Sequence, residues 1–313
     1  MMTNKEKSFA SVVIYVHNAE KRIENYLKTI IEVMEGNFEH SEIICVNDSS
    51  DDNSLALIKK TSEIASTTSV SVVNMSYFHG LELSMNAGLD LSIGDFVFEF
   101  DNTYLDFDPA VIMDIYRRLL QGFDIVSASA DRREKFTSKL FYKAFDRYSD
   151  LSCKMSTESF RVLSRRVLNR IDSMNKTIPY RKAVYANCGL KTDNIRYRVV
   201  DQISRTTDKK ERTFRSHLAV DSLILFTEMS YSFAKLMTVL MMCMSIFMIA
   251  YSIIIYATSN PVAGWTTTIL FLSVGFFGLF GILTIVIKYL QLLVDLVFKR
   301  KQYSFESIEK LTK

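Results

Sequence analysis

Two long runs without any charged residue limit most strongly what this chain can fold into. They extend from Leu236 to Ala257 and from Thr266 to Ile287. Each has roughly 20 residues, the length that a helix needs to cross the core of a bilayer. The short segment between them, Thr258 to Trp265, is also uncharged. The runs therefore predict a hairpin of two transmembrane helices within residues 231–298. The alternative is a pair of helices buried in a large soluble core.

The charges that flank the two runs predict their orientation. Arg212, Arg215 and Lys235 precede the first run, and four basic residues follow the second, whereas the connecting loop has no Lys or Arg. Lys and Arg are enriched on the cytoplasmic side of membrane proteins. We therefore expect residues 1–211, a basic tail at 299–313 and both termini to face the cytoplasm. Residues 212–230 have few charges and predict an amphipathic helix at the membrane interface.

The residues before this region alternate between apolar strand patterns and helical patterns. The predicted strands are Ser11–Val16, Glu42–Val46, Val70–Met75, Phe96–Phe100 and Asp124–Ala128, and helices are predicted at Ala19–Met34, around Leu55–Ile58, at Leu81–Ile93 and at Pro109–Leu120. Such alternation is typical of a doubly wound, mostly parallel sheet with helices on both faces. We therefore predict an α/β, Rossmann-like domain over residues 1–211.

Polar turns follow three of these strands. Asp48 comes after the second strand and Asp101 after the fourth, and the first strand ends at His17-Asn18. The carboxyl ends of parallel strands share one edge of a sheet, where ligands bind in open α/β folds. These residues therefore predict a nucleotide site, although neither a G-x-G-x-x-G nor a Walker motif is present. The alternatives are that Asp101 ends a strand in an ordinary turn and that Asp48 caps the next helix.

Other features exclude some classes of partner. The four cysteines show no C-x-x-C spacing, so neither a zinc site nor a disulfide framework is predicted. The segment from Arg132 to Arg215 is rich in basic residues, which could form a solvated surface or hold a lipid phosphate near the membrane. Because the net charge is only +3, nucleic acid is a poor candidate partner.

Several short motifs, in order and at the expected spacing, resemble those of the family 2 polyprenyl-phosphate glycosyltransferases, which have the GT-A fold. Ser11-Val-Val-Ile-Tyr-Val-His-Asn-Ala-Glu20 resembles S-V-V-I-P-V-Y-N-E-E. Val46-Asn-Asp-Ser-Ser-Asp-Asp-Asn-Ser54 is similar to V-D-D-G-S-x-D-x-[ST]. Asn86-Ala-Gly-Leu-Asp-Leu-Ser-Ile-Gly-Asp95 resembles N-x-G-x-x-x-A-x-G-D, and Phe160-Arg-Val-Leu-Ser-Arg165 resembles F-R-L-x-S-R.

The resemblance implies transfer of a sugar from a nucleotide diphosphate donor to a polyprenyl phosphate, such as undecaprenyl phosphate, at the cytoplasmic face of a bacterial plasma membrane. It also implies a divalent cation, Mg²⁺ or Mn²⁺, and a possible homo-oligomer. The implied site residues are Asp101 and Asp106 in catalysis, with Asp101 as metal ligand; His17, Asn18, Glu20, Asp48 and Asn86 at the nucleotide sugar; and Arg133, Ser138, Lys139 and Arg161 at the lipid phosphate.

The chain departs from the family pattern at functional positions. The D-x-D motif reads Asp101-Asn102-Thr103, so a hydroxyl replaces the second carboxylate, for which Asp106 could substitute. Tyr15 replaces a proline, and Asn47 replaces an aspartate. These changes leave a second hypothesis open, a non-catalytic relative that binds nucleotide sugar or lipid, or supports a partner enzyme.

Overall fold

The structure, a computed structural model, describes residues 5–132, 157–174, 180–200 and 305–312, together with isolated positions between 236 and 293. The helices and strands in these ranges, numbered in chain order, are as follows: β1 Ala10–Val16, α1 Ile23–Asn37, β2 Ser41–Asn47, α2 Ser54–Ser62, β3 Thr68–Met75, α3 Leu81–Leu91, β4 Phe96–Phe100, α4 Ala110–Leu120, β5 Ile125–Ala130, β6 Phe160–Ser164, α5 Arg165–Met174, α6 Arg181–Asn187, β7 Thr192–Tyr197 and β8 Phe305–Lys310.

The described strands form one eight-stranded sheet in the order β7-β5-β6-β4-β1-β2-β3-β8. β1 pairs in parallel with β2 and β4, and β2 does so with β3. Only β6 and β8 run antiparallel to their neighbours in this sheet. The predicted α/β, mostly parallel sheet is therefore confirmed. The strand order reverses direction between β1 and β4, which makes the carboxyl ends of these two strands the switch point of the fold.

Apolar side chains bury the central strands of the sheet and the helix that packs against them. Every residue of β1 is buried, as expected for a strand that is covered on both faces. Helix α1 buries one stripe of side chains against the sheet, namely Ile23, Tyr26, Leu27, Ile30, Ile31 and Met34. This spacing follows the 3.6-residue period of an amphipathic helix.

Two glycines allow α3 and the turn after it to lie against β1. A Cβ atom on Gly88 would come within 2.4 Å of Val13 Cγ1, and one on Gly94 within 2.6 Å of the backbone nitrogen of Ser11. Gly94 also donates a backbone hydrogen bond to Ser11 Oγ at 2.7 Å. These close approaches set the position of β4, and therefore of the residues that follow it.

The carboxyl-terminal residues complete one edge of the sheet. β8 pairs antiparallel with β3, and the backbone nitrogen of Val70 donates to Thr312 Oγ1 at 2.8 Å. Sequence patterns predict residues 299–313 only as a basic tail and give no sign of this strand. β6 and β7 were missed as well, because neither has a strong apolar pattern on both of its faces.

The chain divides into two compact units, residues 1–146, 151–219 and 300–313 in one, and residues 147–150 and 220–299 in the other. The sheet belongs to the first unit. Apart from isolated positions, the predicted interfacial helix at 212–230 and both predicted spans lie outside the described residues. In the described part of the chain, no helix is long and apolar enough to cross a membrane.

Candidate active site at the carboxyl edge of the sheet

Asp101, the residue after β4, is held by two buried arginines. Arg161 Nη2 donates to Asp101 Oδ2 at 2.9 Å, and Arg181 Nη2 donates to Asp101 Oδ1 at 2.8 Å. Both guanidinium groups are fully buried, whereas 8% of Asp101 is exposed. Arg161 comes from β6 and Arg181 begins α6. Both oxygens of this carboxylate are therefore fixed by residues distant in sequence.

A second carboxylate, Glu99, lies behind Asp101 in the same cluster. Residues two apart in a strand face the same side, and Glu99 is directly opposite Arg161 in the β4–β6 register. Arg161 Nη1 donates to Glu99 Oε2 at 2.8 Å, and Arg181 Nη1 lies 3.2 Å from the same oxygen. Tyr185 donates its hydroxyl to Glu99 Oε1.

Glu82 joins the cluster from the first turn of α3. Its Oε2 accepts from Arg181 Nε at 2.9 Å and from the backbone nitrogen of Arg181 at 3.0 Å. The cluster thus connects β4, β6, α3 and α6 through buried charges. We call these five residues, Glu82, Glu99, Asp101, Arg161 and Arg181, the arginine–carboxylate cluster.

The electrostatics of the cluster keep Asp101 ionised. Burial alone raises the pKa of this carboxyl, but the charges of Arg161 and Arg181 outweigh burial and hold its pKa well below the usual range. Burial, and then Glu99, raise the pKa of Tyr185 well above its ordinary value, so this phenol remains a donor. A carboxylate with so low a pKa is a weak proton acceptor and a strong hydrogen-bond acceptor.

Asp48, at the end of β2, has different surroundings. Its Oδ1 accepts from the backbone nitrogen of His79 at 2.8 Å, and its Oδ2 accepts from the backbone nitrogen of Gly80 at 2.8 Å and from the Tyr15 hydroxyl at 3.0 Å. The carboxylate is fully buried. These contacts fix the loop before α3, and the expected contact of Asp48 with a base or ribose stays a prediction.

The predicted residues of the β1–α1 loop lie against the turn after β2. His17 Nδ1 lies 2.7 Å from the backbone oxygen of Asp48, and the His17 ring is 4.8 Å from that of Phe78. Asn18, whose φ is +45°, accepts from the backbone nitrogen of Asp51 at 3.0 Å. Glu20 accepts from the backbone nitrogen of Asn53 at 3.4 Å. The structure therefore brings His17, Asn18 and Glu20 to one edge.

Asn86 and the predicted lipid-phosphate residues are placed differently. Asn86 is buried within α3, inside the predicted helix Leu81–Ile93, and its contact with a nucleotide sugar stays a prediction. Arg133, Ser138 and Lys139 lie outside the described residues. Arg161 is described, but it is buried and paired with Glu99 and Asp101. The contacts of Arg161 in the described residues are thus with carboxylates, and its expected contact with a lipid phosphate stays a prediction.

The oxygens expected to hold a divalent cation are also engaged. Thr103 Oγ1 accepts from Arg22 Nε at 3.3 Å. Asp106 is buried, accepts from the Tyr197 hydroxyl at 3.1 Å and pairs with Arg132 at 3.3 Å. Within the described ranges, no group of three His, Cys, Asp or Glu residues could hold a metal ion.

A dication on Asp101 would moreover stand next to the two guanidinium groups that already compensate its charge. Hard divalent cations bind to oxygen ligands, and Mg²⁺ often takes only one or two carboxylates from the protein beside the phosphates of its substrate. A divalent cation at Asp101 would therefore need further ligands, such as the phosphates of a bound donor, and its presence stays a prediction.

Sequence reasoning missed Glu82, Glu99, Arg181, Tyr185 and Arg22. For Glu99 a signal exists, because a charged residue inside the apolar run Phe96–Phe100 requires a buried partner. Arg181 gives no local signal, since its partners are distant in the chain.

Comparison with known proteins identifies the class to which this fold and site belong. The family model described as glycosyl transferase family 2 matches residues 11–172, which is more than half of the chain. The chain belongs to this family. Its relatives and the family match support a glycosyltransferase enzyme.

Individual relatives cover part of the chain. A glycosyltransferase of Synechocystis sp. is 30% identical over 187 residues, 58% of each chain. A prophage bactoprenol glucosyl transferase homolog of Escherichia coli is 29% identical over 203 residues, 63% of this chain and 65% of the relative. A solved mannosyltransferase from Pyrobaculum calidifontis, in complex with GDP-Man and Mn²⁺, has a TM-score of 0.49 at 14% identity, over 70% of this chain and 63% of its own. The chain therefore spans less than two thirds of the length of each of these three proteins.

Proposed function

We propose that this protein transfers a sugar from a nucleotide diphosphate donor to the phosphate of a polyprenyl lipid at the cytoplasmic face of a bacterial plasma membrane. The observation that carries the proposal is the fixed, ionised Asp101 at the switch point of a family 2 domain. Ligands of open α/β folds bind outside the carboxyl ends of the strands at this point.

The chemistry of the acceptor makes few demands on proton transfer. A lipid phosphate is already an anion near neutral pH, so its oxygen can attack the anomeric carbon without a strong general base. As the new bond forms, the bond between that carbon and the donor diphosphate breaks, and the nucleoside diphosphate leaves with the electron pair. Positioning and charge stabilisation then become the main tasks of the protein.

Asp101 is assigned a positioning role in this reaction. Its low pKa makes it a poor base, whereas its fixed oxygens are suited to accept hydrogen bonds from hydroxyl groups of the donor. His17 and Asn18, across the edge, are assigned to the nucleotide. Arg133, Ser138 and Lys139 remain the candidates for the acceptor phosphate.

Two features support a lipid acceptor. The Escherichia coli relative is named for bactoprenol, a polyprenol. Helical positions in the second unit expose large apolar side chains, including Leu236, Phe247, Leu279 and Leu290, each more than half exposed. Exposed apolar side chains of this kind are typical of a surface that faces lipid or a partner.

The pairing of β8 with β3 supports the predicted membrane topology. Because residues 305–310 are part of the same sheet as β1–β4, the chain enters and leaves the segment 220–299 from the same unit. A two-helix hairpin, as predicted within this segment, would return the chain to the side of the membrane from which it enters.

Two observations favour the second candidate, a non-catalytic relative. Asp101 has both oxygens engaged by arginines, and Thr103 replaces the second carboxylate of the motif. A scaffold that binds nucleotide sugar or lipid without turnover would tolerate both features.

Transfer of labelled sugar to undecaprenyl phosphate by the detergent-purified full chain decides between the two. The assay uses a panel of UDP- and GDP-sugars, each with Mn²⁺ and with EDTA. We expect label in the lipid phase from one donor. Asp101→Asn should lose transfer. Its matched control is Asp114→Asn, which changes an exposed carboxylate of α4 and should leave transfer unchanged. Binding of a nucleotide sugar without transfer from any donor would favour the scaffold.

A further inference from the structure

Arg22 connects the two sides of the switch-point crevice. It lies between β1 and α1, and its Nε donates to Thr103 Oγ1, after β4, at 3.3 Å. Its guanidinium carbon lies 4.3 Å from the centre of the Tyr104 ring. An arginine stacked on an aromatic ring has a restricted orientation, so the turn after β4 defines the position of this charge.

The guanidinium of Arg22 retains capacity for a ligand. The side chain is partly exposed, unlike those of Arg161 and Arg181. Across the described ranges, its two terminal nitrogens have no hydrogen bond or ion pair, since the contact with Thr103 uses Nε alone. A guanidinium with two terminal nitrogens available matches the oxygens of a phosphate in a bidentate manner.

The residue at position 103 determines whether this charge is available. An aspartate there would form an ion pair with Arg22 and compensate its charge. Thr103 accepts a hydrogen bond without carrying a charge, so it does not compensate the positive charge of the guanidinium. The change from carboxylate to hydroxyl, which removes a metal ligand, therefore also leaves Arg22 able to attract an anion.

We propose that Arg22 binds the diphosphate of the nucleotide donor and supplies the positive charge that a divalent cation would otherwise provide. This inference rests on the proposed function, because it assumes a nucleoside diphosphate in the crevice. Negative charge on the diphosphate increases as its bond to the sugar breaks, and a fixed guanidinium beside it stabilises that charge.

Binding of UDP and GDP by the full chain in EDTA, measured by calorimetry with uridine and guanosine for comparison, tests the proposal. We expect the wild type to bind one of the diphosphates without added metal. Arg22→Gln should weaken the binding of that diphosphate about tenfold or more, as expected for a lost charged hydrogen bond. The binding of the nucleoside should be unchanged. The matched control is Lys21→Gln, which removes the same charge from an exposed neighbour and should bind like the wild type.

A further variant tests whether an uncharged residue at position 103 leaves Arg22 available to bind an anion. Thr103→Asp should weaken diphosphate binding in EDTA, because the new carboxylate pairs with Arg22, and circular dichroism should show that each variant is folded. Binding of the diphosphate only with Mn²⁺, or equal weakening of diphosphate and nucleoside by Arg22→Gln, would overturn the role of Arg22 and leave the proposed function standing. If neither UDP, GDP nor their sugar conjugates bind, in EDTA or with Mn²⁺, both the role of Arg22 and the proposed function are overturned.

Discussion

Asp48 and Asp101 present the same signal in the sequence and have different roles in the structure. Each follows a buried strand and opens a polar turn. Asp48 accepts two backbone N–H groups and one hydroxyl, so it fixes a loop. Asp101 accepts from two guanidinium groups, so it is one member of a charge cluster. An aspartate at a strand end therefore acquires its role from its partners, and those of Asp101 come from distant elements.

The largest expected effect comes from breaking the arginine–carboxylate cluster. Arg181→Met leaves Glu82, Glu99 and Asp101 without one of their compensating charges, and removing one partner from a buried ion pair costs about 3–5 kcal/mol. We expect a fall of that size in the free energy of unfolding in urea, followed by circular dichroism. The control Arg117→Met breaks an exposed pair on α4 and should change stability by less than about 1 kcal/mol. Equal effects of the two variants would contradict the buried cluster.

Asp48→Asn should have the next largest effect. The amide can accept at only one end, so a buried N–H of His79 or Gly80 loses its charged acceptor. Hydrogen bonds to charged groups contribute about 1.5–3 kcal/mol, and we expect a loss of that order in the same urea experiment. Asp51→Asn, at an exposed position of the same turn, provides the control. A neutral effect of Asp48→Asn would show that the loop does not depend on this carboxylate.

Mild acid should distinguish the wild type from Asp101→Asn. Because the arginines lower the pKa of Asp101 in the folded state, its contribution to stability is present above the pKa of the unfolded chain and is lost as pH falls towards the folded pKa. The wild type should therefore lose stability from about pH 5 downwards, and Asp101→Asn should lose less over the same range. Parallel pH profiles would mean that Asp101 is not held ionised by its neighbours.

The smallest effect is expected at the edge strand. Lys59 and Glu309 form an ion pair between α2 and β8, with both side chains more than one third exposed. Exposed pairs contribute about 0.2–1 kcal/mol, so Glu309→Gln should change the free energy of unfolding by no more than that. A larger loss would mean that this contact, rather than the strand pairing, holds β8 to the sheet.

The sequence was informative where local patterns determine structure. The apolar runs of β1 to β4 and the helical spacing of α1 and α4 were sufficient to predict these elements within a few residues, and Phe96–Phe100 was predicted with its observed bounds. The glycines at 88 and 94 were found through a motif, and the structure gives the steric reason for them.

Long-range contacts could not be predicted in the same way. The pairing of Glu99 with Arg161 depends on the antiparallel register of β4 and β6, and Arg181 reaches Asp101 from a helix 80 residues further along the chain. β8 returns to the sheet only after the second unit. Arg161 was found by its motif but assigned to a lipid phosphate, because a basic residue near a membrane has the same sequence signal whether it is exposed or buried.

The most direct test of the central claim compares Asp101→Asn with Asp48→Asn in the transfer of labelled sugar to undecaprenyl phosphate, with rates expressed per folded protein. We expect Asp101→Asn, once shown to be folded, to lose transfer because the donor is no longer oriented. Asp48→Asn should keep the wild-type rate per folded protein if its carboxylate only fixes the loop, and should lose transfer if that carboxylate reaches the donor. Wild-type rates in Asp101→Asn would contradict the account.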